Sequence, residues 1–308
     1  CFGQWDVCTP EVMRERSSVA YFFARHLRDS LQVPVGVMVA AWGGTPAESW
    51  TPTEIVQGNP DLNNNQIKQT YPWWPMEAGV LYNQMIHPLL PFTFAGAIWY
   101  QGEANRDNFE HYGLLIKSMI ESWRREAGRC FPFYQVQIAP FLYKSNNNEA
   151  AFIREAQEWV VRHTEKTGLV VASDCVEDVS TIHPINKRPV GKRLADLALA
   201  KNYKTLAGVH ESPFLRRCEV KEDKLVLTFS SVQNGIVCRD KEVEGLEIAG
   251  PDGIFVKAKV VINNKNQLVV SSPEVKTPVS ARYCFDDATV GNLFNKEGYP
   301  VAPFRTDM

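Results

Sequence analysis

The feature that most constrains the fold is an alternation of short apolar runs with longer helical patterns over residues 1–205. Four runs are rich in β-branched and aromatic residues and are typical of strands buried on both faces: 33–42, 94–103, 131–140 and 168–174. Apolar residues at helical spacing mark four other stretches: 11–32, 107–128, 150–166 and 185–203. Strands that alternate with helices of this length predict βαβ units, and therefore a mainly parallel sheet flanked by helices on both faces.

A change of pattern near residue 205 predicts a second domain. Beyond it, apolar and polar residues alternate in short runs, and turn sequences such as Gly-Pro-Asp-Gly at 250–253 interrupt them. This pattern is typical of antiparallel strands. We therefore predict an α/β domain at 1–205, a smaller antiparallel β-rich domain at 206–291, and a C-terminal tail, 292–308, that packs back on the rest.

The composition excludes several classes of partner. The chain of 308 residues carries 33 basic and 35 acidic residues, so its net charge of −2 gives no basis for binding nucleic acid or an anionic membrane. No apolar stretch approaches the roughly 18–20 residues of a membrane span. No signal peptide opens the chain, but because it begins at Cys1 rather than Met we expect a processed or excised segment.

The cysteines give no indication of a metal site. Seven cysteines are scattered along the chain without a CxxC pair, and we therefore expect neither zinc nor any other cofactor. Because seven is an odd number, at least one thiol must be free or intermolecular, and the count leaves room for one or two structural disulfides.

Three polar or glycine-rich loops are predicted to meet at one edge of the parallel sheet. They follow the first, second and fourth predicted strands and cover 42–50, 99–106 and 174–183. Because ligands of α/β sheets bind outside the carboxyl ends of the strands, this edge is the predicted functional site.

The first two loops carry groups suited to binding an oxyanion. Gly43 and Gly44 present backbone N–H groups or, alternatively, only allow a tight turn after the strand. Asn105 offers a side-chain N–H to the same oxyanion. Gln101 and Glu103 alternate with it along the chain, so we expect them to point into the cleft and contact the substrate, the alternative being that all three are solvated loop residues.

Three tryptophans are further candidate substrate contacts. Trp73 and Trp74 could stack on a sugar ring or, alternatively, cover the core. Trp99 opens the second loop, and we include it among the predicted contacts.

The third loop holds the histidine best suited to acid–base chemistry. His183 follows a polar run and precedes a proline at the mouth of a predicted helix, where capping that helix is its alternative role. His87 lies in the same Ile-His-Pro triplet but within an apolar run, and we expect it to be structural. The other histidines are expected to be surface or packing residues: His26, His111, His163 and His210.

Four segments resemble the sialate O-acetylesterase family, a branch of the SGNH hydrolases: WGGTPAESW, NQMIHPLLPFTFAGAIWYQGEAN, STIHPINKRPVGKRLADLALA and LFNKEGYPVAPFRTD. The resemblance runs in register over about residues 17 to 205 and again near the C-terminus, and WYQGEAN followed at a distance by IHP is its most specific part. It implies an SGNH, flavodoxin-like α/β fold. It also implies a serine esterase that removes acetyl groups from sugar hydroxyls, typically the 9-O-acetyl group of sialic acid.

The resemblance assigns roles to several of the candidate residues. By the family pattern, Gly43, with Gly44, and Asn105 form the oxyanion hole. His183 is the general base that takes the proton of the serine and later protonates the leaving sugar alkoxide.

The acid that orients His183 is less directly indicated. Many SGNH enzymes place it three residues before the histidine, and that position here is Ser180. Asp178 is favoured by proximity, while Asp174, Glu177 or a backbone carbonyl are the alternatives.

The nucleophile block of the family, which resembles Gly-Gln-Ser-Asn-Met, has no counterpart in this sequence. The segment FGQWD at 2–6 is not a substitute, and Ser17 and Ser18 lie inside a predicted helix, where we expect them to be structural. We therefore expect the serine to lie outside this segment, and the segment alone to be inactive.

Two other functions are compatible with the same residues. One is a catalytically silent carbohydrate-binding protein of the same fold, and the other is an acetyl xylan or other polysaccharide deacetylase. In each case the partner is an O-acetylated sugar or glycan. By resemblance to exported bacterial relatives, we expect a periplasmic or extracellular location.

Overall fold

The structure, a computed structural model, describes residues 3–63, 73–145 and 148–307. Its contacts divide the chain into two compact units. The α/β unit comprises Cys1–Ile138, Phe152–Val170 and Asn186–Tyr203, and the β unit comprises Ala139–Ala151, Val171–Ile185 and Lys204–Met308. The domain limits predicted from the sequence, 1–205, 206–291 and 292–308, are not tested by this division and stay a prediction.

In the part of the α/β unit that the structure describes, three strands form a parallel sheet. They are β1 (Ala97–Tyr100), β2 (Phe133–Val136) and β3 (Thr167–Val170), hydrogen-bonded in the order β1-β2-β3. All residues of β2 and β3 are buried, as expected for strands covered on both faces. The prediction of a parallel sheet is confirmed, and three of the four predicted strands lie within the apolar runs that indicated them or overlap them.

The run 33–42 is the exception. It contains no strand in the structure, and large apolar side chains along it are exposed: Val33, Val37, Val39 and Trp42. The prediction of a strand buried on both faces is therefore wrong here. β-branched residues form a strand only where a neighbour supplies backbone partners, and no described segment pairs with this run.

Each predicted helical stretch contains a helix, one stretch is divided into two helices, and two short helices, Thr53–Gly58 and Pro60–Asn63, were not predicted. The helices are α1 (Pro10–Met13), α2 (Ser18–Leu31), α3 (Thr53–Gly58), α4 (Pro60–Asn63), α5 (Phe109–Glu126), α6 (Glu149–His163) and α7 (Arg188–Leu197). The stretch 11–32 is divided between two helices because each helix has its own N-cap: Thr9 Oγ1 accepts from Val12 N, and Ser17 Oγ accepts from Ala20 N. Ser17 thus caps α2, which agrees with its expected structural role.

Short 3₁₀ and π segments connect these elements and carry much of the predicted site. The 3₁₀ segments are Ala47–Trp50, His87–Leu89, Glu103–Asn108 and Ser173–Cys175, and the π segments are Tyr82–Ile86 and Ala198–Tyr203. Close packing at one glycine brings α2 against α7, because a Cβ on Gly191 would lie 2.6 Å from Phe22 Cβ. The histidine of α2 also contacts α7, since His26 Nε2 lies 3.0 Å from Asp196 Oδ1.

Among its described residues the β unit contains ten strands, all paired antiparallel, which confirms the antiparallel prediction. They are β4 (Leu215–Lys221), β5 (Lys224–Phe229), β6 (Ile236–Cys238), β7 (Leu246–Ala249), β8 (Phe255–Lys257), β9 (Lys259–Ile262), β10 (Leu268–Ser271), β11 (Ser280–Tyr283), β12 (Leu293–Asn295) and β13 (Phe304–Arg305). Three sheets result, ordered β4-β5-β10-β9, β13-β11-β7-β8 and β12-β6. The core of the β unit is mainly aliphatic and includes Leu225, Leu227, Ile248, Leu268, Val270 and Leu293.

The cysteines of the described residues are all free thiols: Cys8, Cys130, Cys175, Cys218, Cys238 and Cys284. The disulfides that the count allowed are not formed among them, and Cys1 lies outside the described residues. Within the described ranges, no helix combines the length and the apolar character needed to cross a bilayer.

Candidate active site

The first predicted loop is a tight turn closed by its own hydrogen bonds. Thr45 Oγ1 donates to Trp42 O at 2.7 Å and accepts from Trp50 Nε1 at 3.0 Å. Gly44 has a φ of +69°, in the left-handed region that favours glycine. Gly43 is exposed, and no atom lies within 4 Å of the position that a Cβ would occupy there. Both predicted oxyanion glycines therefore lie on a rigid turn, and the surroundings of Gly43 are open.

Asn105, the third predicted oxyanion residue, is a buried side chain with a fixed orientation. It lies in the 3₁₀ segment Glu103–Asn108 and is 2% exposed. Its Oδ1 accepts from Ala47 N at 2.9 Å and from Gln101 Nε2 at 2.7 Å. Its Nδ2 donates to Glu48 Oε2 at 2.8 Å. Both ends of the amide are therefore fixed from within the α/β unit.

Gln101 connects the glycine turn to Asn105. Its Nε2 donates to Thr45 O at 3.2 Å as well as to Asn105 Oδ1, and its Oε1 lies 3.0 Å from the hydroxyl of Tyr112. The carbonyl of Gln101 in turn accepts from Gln157 Nε2 at 3.0 Å. Both amide hydrogens of Gln101 are thus used in bonds within the protein. Gln101, a predicted substrate contact, therefore holds the glycine turn and Asn105 together.

Tyr112 and Glu103 lie beside this network. Tyr112 is completely buried, and burial, with a smaller contribution from the Glu103 carboxylate, raises the pKa of its hydroxyl far above the usual value. The hydroxyl is therefore a fixed neutral donor to Gln101. Glu103 itself is half-buried at the start of its 3₁₀ segment.

Gly102 lets the loop pass close to its neighbours. A Cβ there would lie 2.7 Å from Ile138 Cγ2 and 3.0 Å from Ile153 Cγ2, both in the buried core. We expect Gly102→Ala to lower the free energy of unfolding by about 1–3 kcal/mol, since the added methyl group overpacks a full core. Urea unfolding followed by tryptophan fluorescence measures this loss.

Gly58→Ala is the matched control for that substitution. Gly58 ends α3, and nothing lies within 4 Å of its added Cβ, so this variant should be as stable as the wild type or slightly more so. Equal free energies of unfolding for the two alanine variants would show that the close packing around Gly102 does not limit the size of the side chain at that position.

Glu48 is a buried site residue that the sequence interpretation missed. It lies in the 3₁₀ segment Ala47–Trp50 and is 3% exposed. Its Oε2 accepts from Asn105 Nδ2 and its Oε1 accepts from Asn108 Nδ2 at 3.0 Å. The sequence did contain a signal, which is an acid among the mostly small or apolar residues of TPAESW. If such a segment is buried, its acid needs a specific partner, because acids are seldom buried without one.

The predicted tryptophan contacts fall into two groups. Trp99 is 9% exposed and packs edge-to-face on Trp50 and Trp123, with ring centroids 5.8 and 5.9 Å apart, so it belongs to the core. Trp73 and Trp74 are 75% and 37% exposed. Residues 64–72, which precede them, lie outside the described residues.

An aromatic corner formed by Trp42 and Trp74 lies next to the glycine turn. The two rings are edge-to-face, with centroids 6.0 Å apart and planes at 86°, and Trp42 is 46% exposed. Trp74 Nε1 would lie 3.6 Å from a Cβ on Gly44. Trp42 was not among the predicted contacts, although it immediately precedes the glycine pair.

His183 lies in the β unit as an exposed residue of the predicted third loop. Within the described ranges, neither ring nitrogen has a hydrogen-bond partner. The loop that carries it is held by a hydrogen bond from Leu142 N to Val179 O at 2.7 Å. The imidazole is therefore presented on an anchored loop and is open to a reacting group.

Asp178, the favoured orienting acid, is bound to Ser180. Its Oδ1 accepts from Ser180 N at 2.8 Å and its Oδ2 accepts from Ser180 Oγ at 2.7 Å, and these two bonds lower the pKa of the carboxyl group. Both carboxylate oxygens thus stabilise the turn that Thr181 N closes on Asp178 O. Of the alternatives, Asp174 is half-buried and Glu177 is exposed.

No metal site accompanies these residues. Among the described side chains, no group of three or more histidines, cysteines or acids lies together as metal ligands would.

The chain is similar to known carbohydrate esterases. A family model described as carbohydrate esterase, sialic acid-specific acetylesterase, matches residues 7–200. The sialate O-acetylesterase of Homo sapiens is 31% identical over 253 residues, which cover 75% of this chain and 48% of that protein. The enzyme of the same name from Mus musculus is 30% identical over 249 residues, covering 66% of this chain and 46% of that one.

A solved structure is similar over the whole chain. It is that of a carbohydrate acetylesterase from Xanthomonas citri, with a TM-score of 0.89 and 34% identity, and the match covers 100% of this chain and 69% of that one. The chain spans about half the length of the curated relatives it matches. Taken together, the family model, the relatives and the fold show that the chain belongs to the sialic acid-specific acetylesterase family of carbohydrate esterases.

Proposed function

We propose that this protein is a carbohydrate O-acetylesterase of SGNH type, with helices on both faces of its sheet, and that its substrate is a 9-O-acetylated sialic acid. The observation that carries the proposal is the double contact of Gln101, whose amide binds both Thr45 O and Asn105 Oδ1. One side chain thereby holds the glycine turn and Asn105 in a fixed relation. Fixed N–H donors are what an oxyanion hole requires, because they must meet the developing charge without rearranging.

The proposed reaction proceeds through an acyl-enzyme. A serine attacks the acetyl carbonyl while His183 takes its proton, and the carbonyl oxygen becomes an oxyanion bound by Gly43 N–H and Asn105 Nδ2. The oxyanion collapses and expels the sugar alkoxide, which His183 protonates. Water, deprotonated by His183, then hydrolyses the acetyl-serine, releasing acetate and restoring the hydroxyl group.

The nucleophilic serine is proposed to lie outside these 308 residues. Ser17 caps α2 and Ser18 begins it, so neither is placed as a nucleophile. Acetate release by the isolated segment, at a rate that an active-site serine reagent abolishes, would contradict this proposal. The proposed location, periplasmic or extracellular, rests on the family resemblance.

A panel of acetyl esters tests the proposed activity. The complete protein should release acetate from 9-O-acetyl sialic acid with a higher kcat/KM than from acetylated xylan or from 4-nitrophenyl acetate. A higher kcat/KM on acetylated xylan would reassign the substrate to plant polysaccharide. Binding of the sugar without acetate release from any ester would instead establish a silent binding protein.

The aromatic corner is the proposed contact for the sugar ring. Two tryptophan faces at nearly a right angle can cover two sides of a pyranose beside the glycine turn. We expect Trp42→Ala and Trp74→Ala each to raise KM for the acetylated sugar roughly 3- to 10-fold, the effect of losing about 1 kcal/mol of stacking. The KM for 4-nitrophenyl acetate, which has no sugar ring, should change less.

Trp159 supplies the matched control for this test. It is as exposed as Trp74, at 37%, and stacks on His163, away from the glycine turn in sequence and contacts. Trp159→Ala should leave KM for the sugar unchanged. Equal changes in KM from all three substitutions would rule out a specific role for the corner.

A further inference from the structure

Glu48 is a buried carboxylate without a cation. It is 3% exposed, and within the described ranges no lysine, arginine or histidine forms an ion pair with it. Its two oxygens instead accept N–H groups from two asparagine amides, those of Asn105 and Asn108. A buried charge held only by neutral donors is unfavourable compared with a neutral side chain, so its presence calls for a specific role.

The chemical character of the carboxylate decides how the Asn105 amide is oriented. An ionised carboxylate only accepts hydrogen bonds, so it selects the Nδ2 end of the amide. The opposite end meets two donors, Ala47 N and Gln101 Nε2, and these select Oδ1. Rotating the amide by half a turn would place acceptor against acceptor and donor against donor, and all three bonds would be lost.

This arrangement leaves Asn105 with one unused hydrogen. Nδ2 carries two, and the bond to Glu48 uses one of them. Oδ1 is already occupied by two donors, so Asn105 can meet a ligand only as a donor. An oxyanion is the kind of ligand that such a group serves.

We propose that Glu48 is the positioning residue of the oxyanion hole: it fixes the Asn105 amide so that its free N–H faces the developing oxyanion. The inference rests on the proposed role of Asn105. Glu48 acts through Asn105 and not on the substrate, so its removal should change kcat and leave KM nearly unaltered. A misplacement of about 1 Å in such a group can lower the rate by about 100-fold.

The test is a double-mutant cycle in the complete protein, with kcat measured per active site by titration with a serine-reactive phosphonate. Glu48→Met should lower kcat by about 10- to 100-fold with KM within about threefold of the wild type. Glu48→Gln should restore most of the loss, because the amide oxygen still accepts from Asn105. The double variant Glu48→Met/Asn105→Ala should be no slower than Asn105→Ala alone, because the positioned group is gone.

Two further variants keep the test decisive. Glu48→Asp shortens the side chain by one methylene and draws the carboxylate away from Asn105. It should lower kcat without changing KM, and it serves as the test variant if Glu48→Met does not fold. Glu54→Gln, which neutralises an exposed acid on the neighbouring α3, controls for a general charge effect and should leave kcat unchanged.

The outcomes separate this inference from the function on which it rests. If Glu48→Met slows the Asn105→Ala enzyme by the same factor as it slows the wild type, Glu48 acts independently of Asn105 and the inference is overturned. A rise in KM with unchanged kcat would likewise overturn it. If Asn105→Ala itself has full activity, the proposed oxyanion hole is wrong and the positioning role falls with it.

Discussion

Replacing His183 with alanine should lower kcat of the complete enzyme by about 10⁴-fold or more, because the serine then has no base and the sugar alkoxide has no acid. The fold should survive, since the side chain is exposed and has no hydrogen-bond partner within the described ranges. Acetate release under single-turnover conditions measures the loss, and an unchanged melting temperature shows that it is chemical. Turnover within tenfold of the wild type would exclude His183 as the base.

The chain supplies its own control for that experiment. His87 lies in the same Ile-His-Pro triplet, and its side chain is 57% exposed, with Nε2 3.7 Å from Glu126 Oε1. His87→Ala should keep kcat within about twofold, because His87 has no part in the proposed reaction and substitutions of exposed side chains outside a functional site usually have small effects. A similar loss in both variants would point to a general effect of removing a histidine.

The role of Asp178 can be decided beside His183. Its carboxylate oxygens bind Ser180, so Asp178→Asn, which can still accept from Ser180 N, should lower kcat by less than about tenfold. A triad acid behaves differently, because its replacement by asparagine lowers kcat by about 10⁴-fold. A loss of that size would establish the predicted role of Asp178 as the orienting acid.

Local patterns predicted the long helices and the strands of the parallel sheet. The spacing of apolar residues predicted α5 and α6 to within a few residues, and compact β-branched runs predicted β1 to β3. The run 33–42 has the same composition but no strand, because a strand depends on a backbone partner that composition does not reveal. Likewise, the break between α1 and α2 depends on the caps Thr9 and Ser17, which helical periodicity alone ignores.

The sequence predicted which loops carry the site residues, but not which hydrogen bonds those residues form. Alternation after β1 indicated that Gln101, Glu103 and Asn105 share a region, and the structure shows that Gln101 and Asn105 bind each other. Whether an amide faces a ligand or its own scaffold depends on partners distant in sequence. Glu48 is 57 residues from Asn105, and no periodicity connects them.

Replacing Asn105 with alanine should lower kcat by about 10²- to 10³-fold, the usual loss for one oxyanion-hole donor, with KM within about threefold. The substitution also leaves Glu48 Oε2 and Ala47 N without the partner that Asn105 supplies, and leaves Gln101 Nε2 with Thr45 O alone. Because these groups are buried or nearly so, we also expect the free energy of unfolding to fall by about 1–3 kcal/mol. Rates per titrated active site keep the two losses separate.

Asn105→Asp distinguishes the donor role from simple filling of the space. Aspartate has nearly the same shape, but its oxygen would face Glu48 Oε2 at about the present 2.8 Å, where two ionised carboxylates repel each other. One of the pair must then hold a proton, and even so the free N–H that meets the oxyanion is lost. The aspartate variant should therefore be at least as slow as the alanine variant. Recovery of kcat in Asn105→Asp would mean that shape, and not the N–H group, is what the reaction needs at this position.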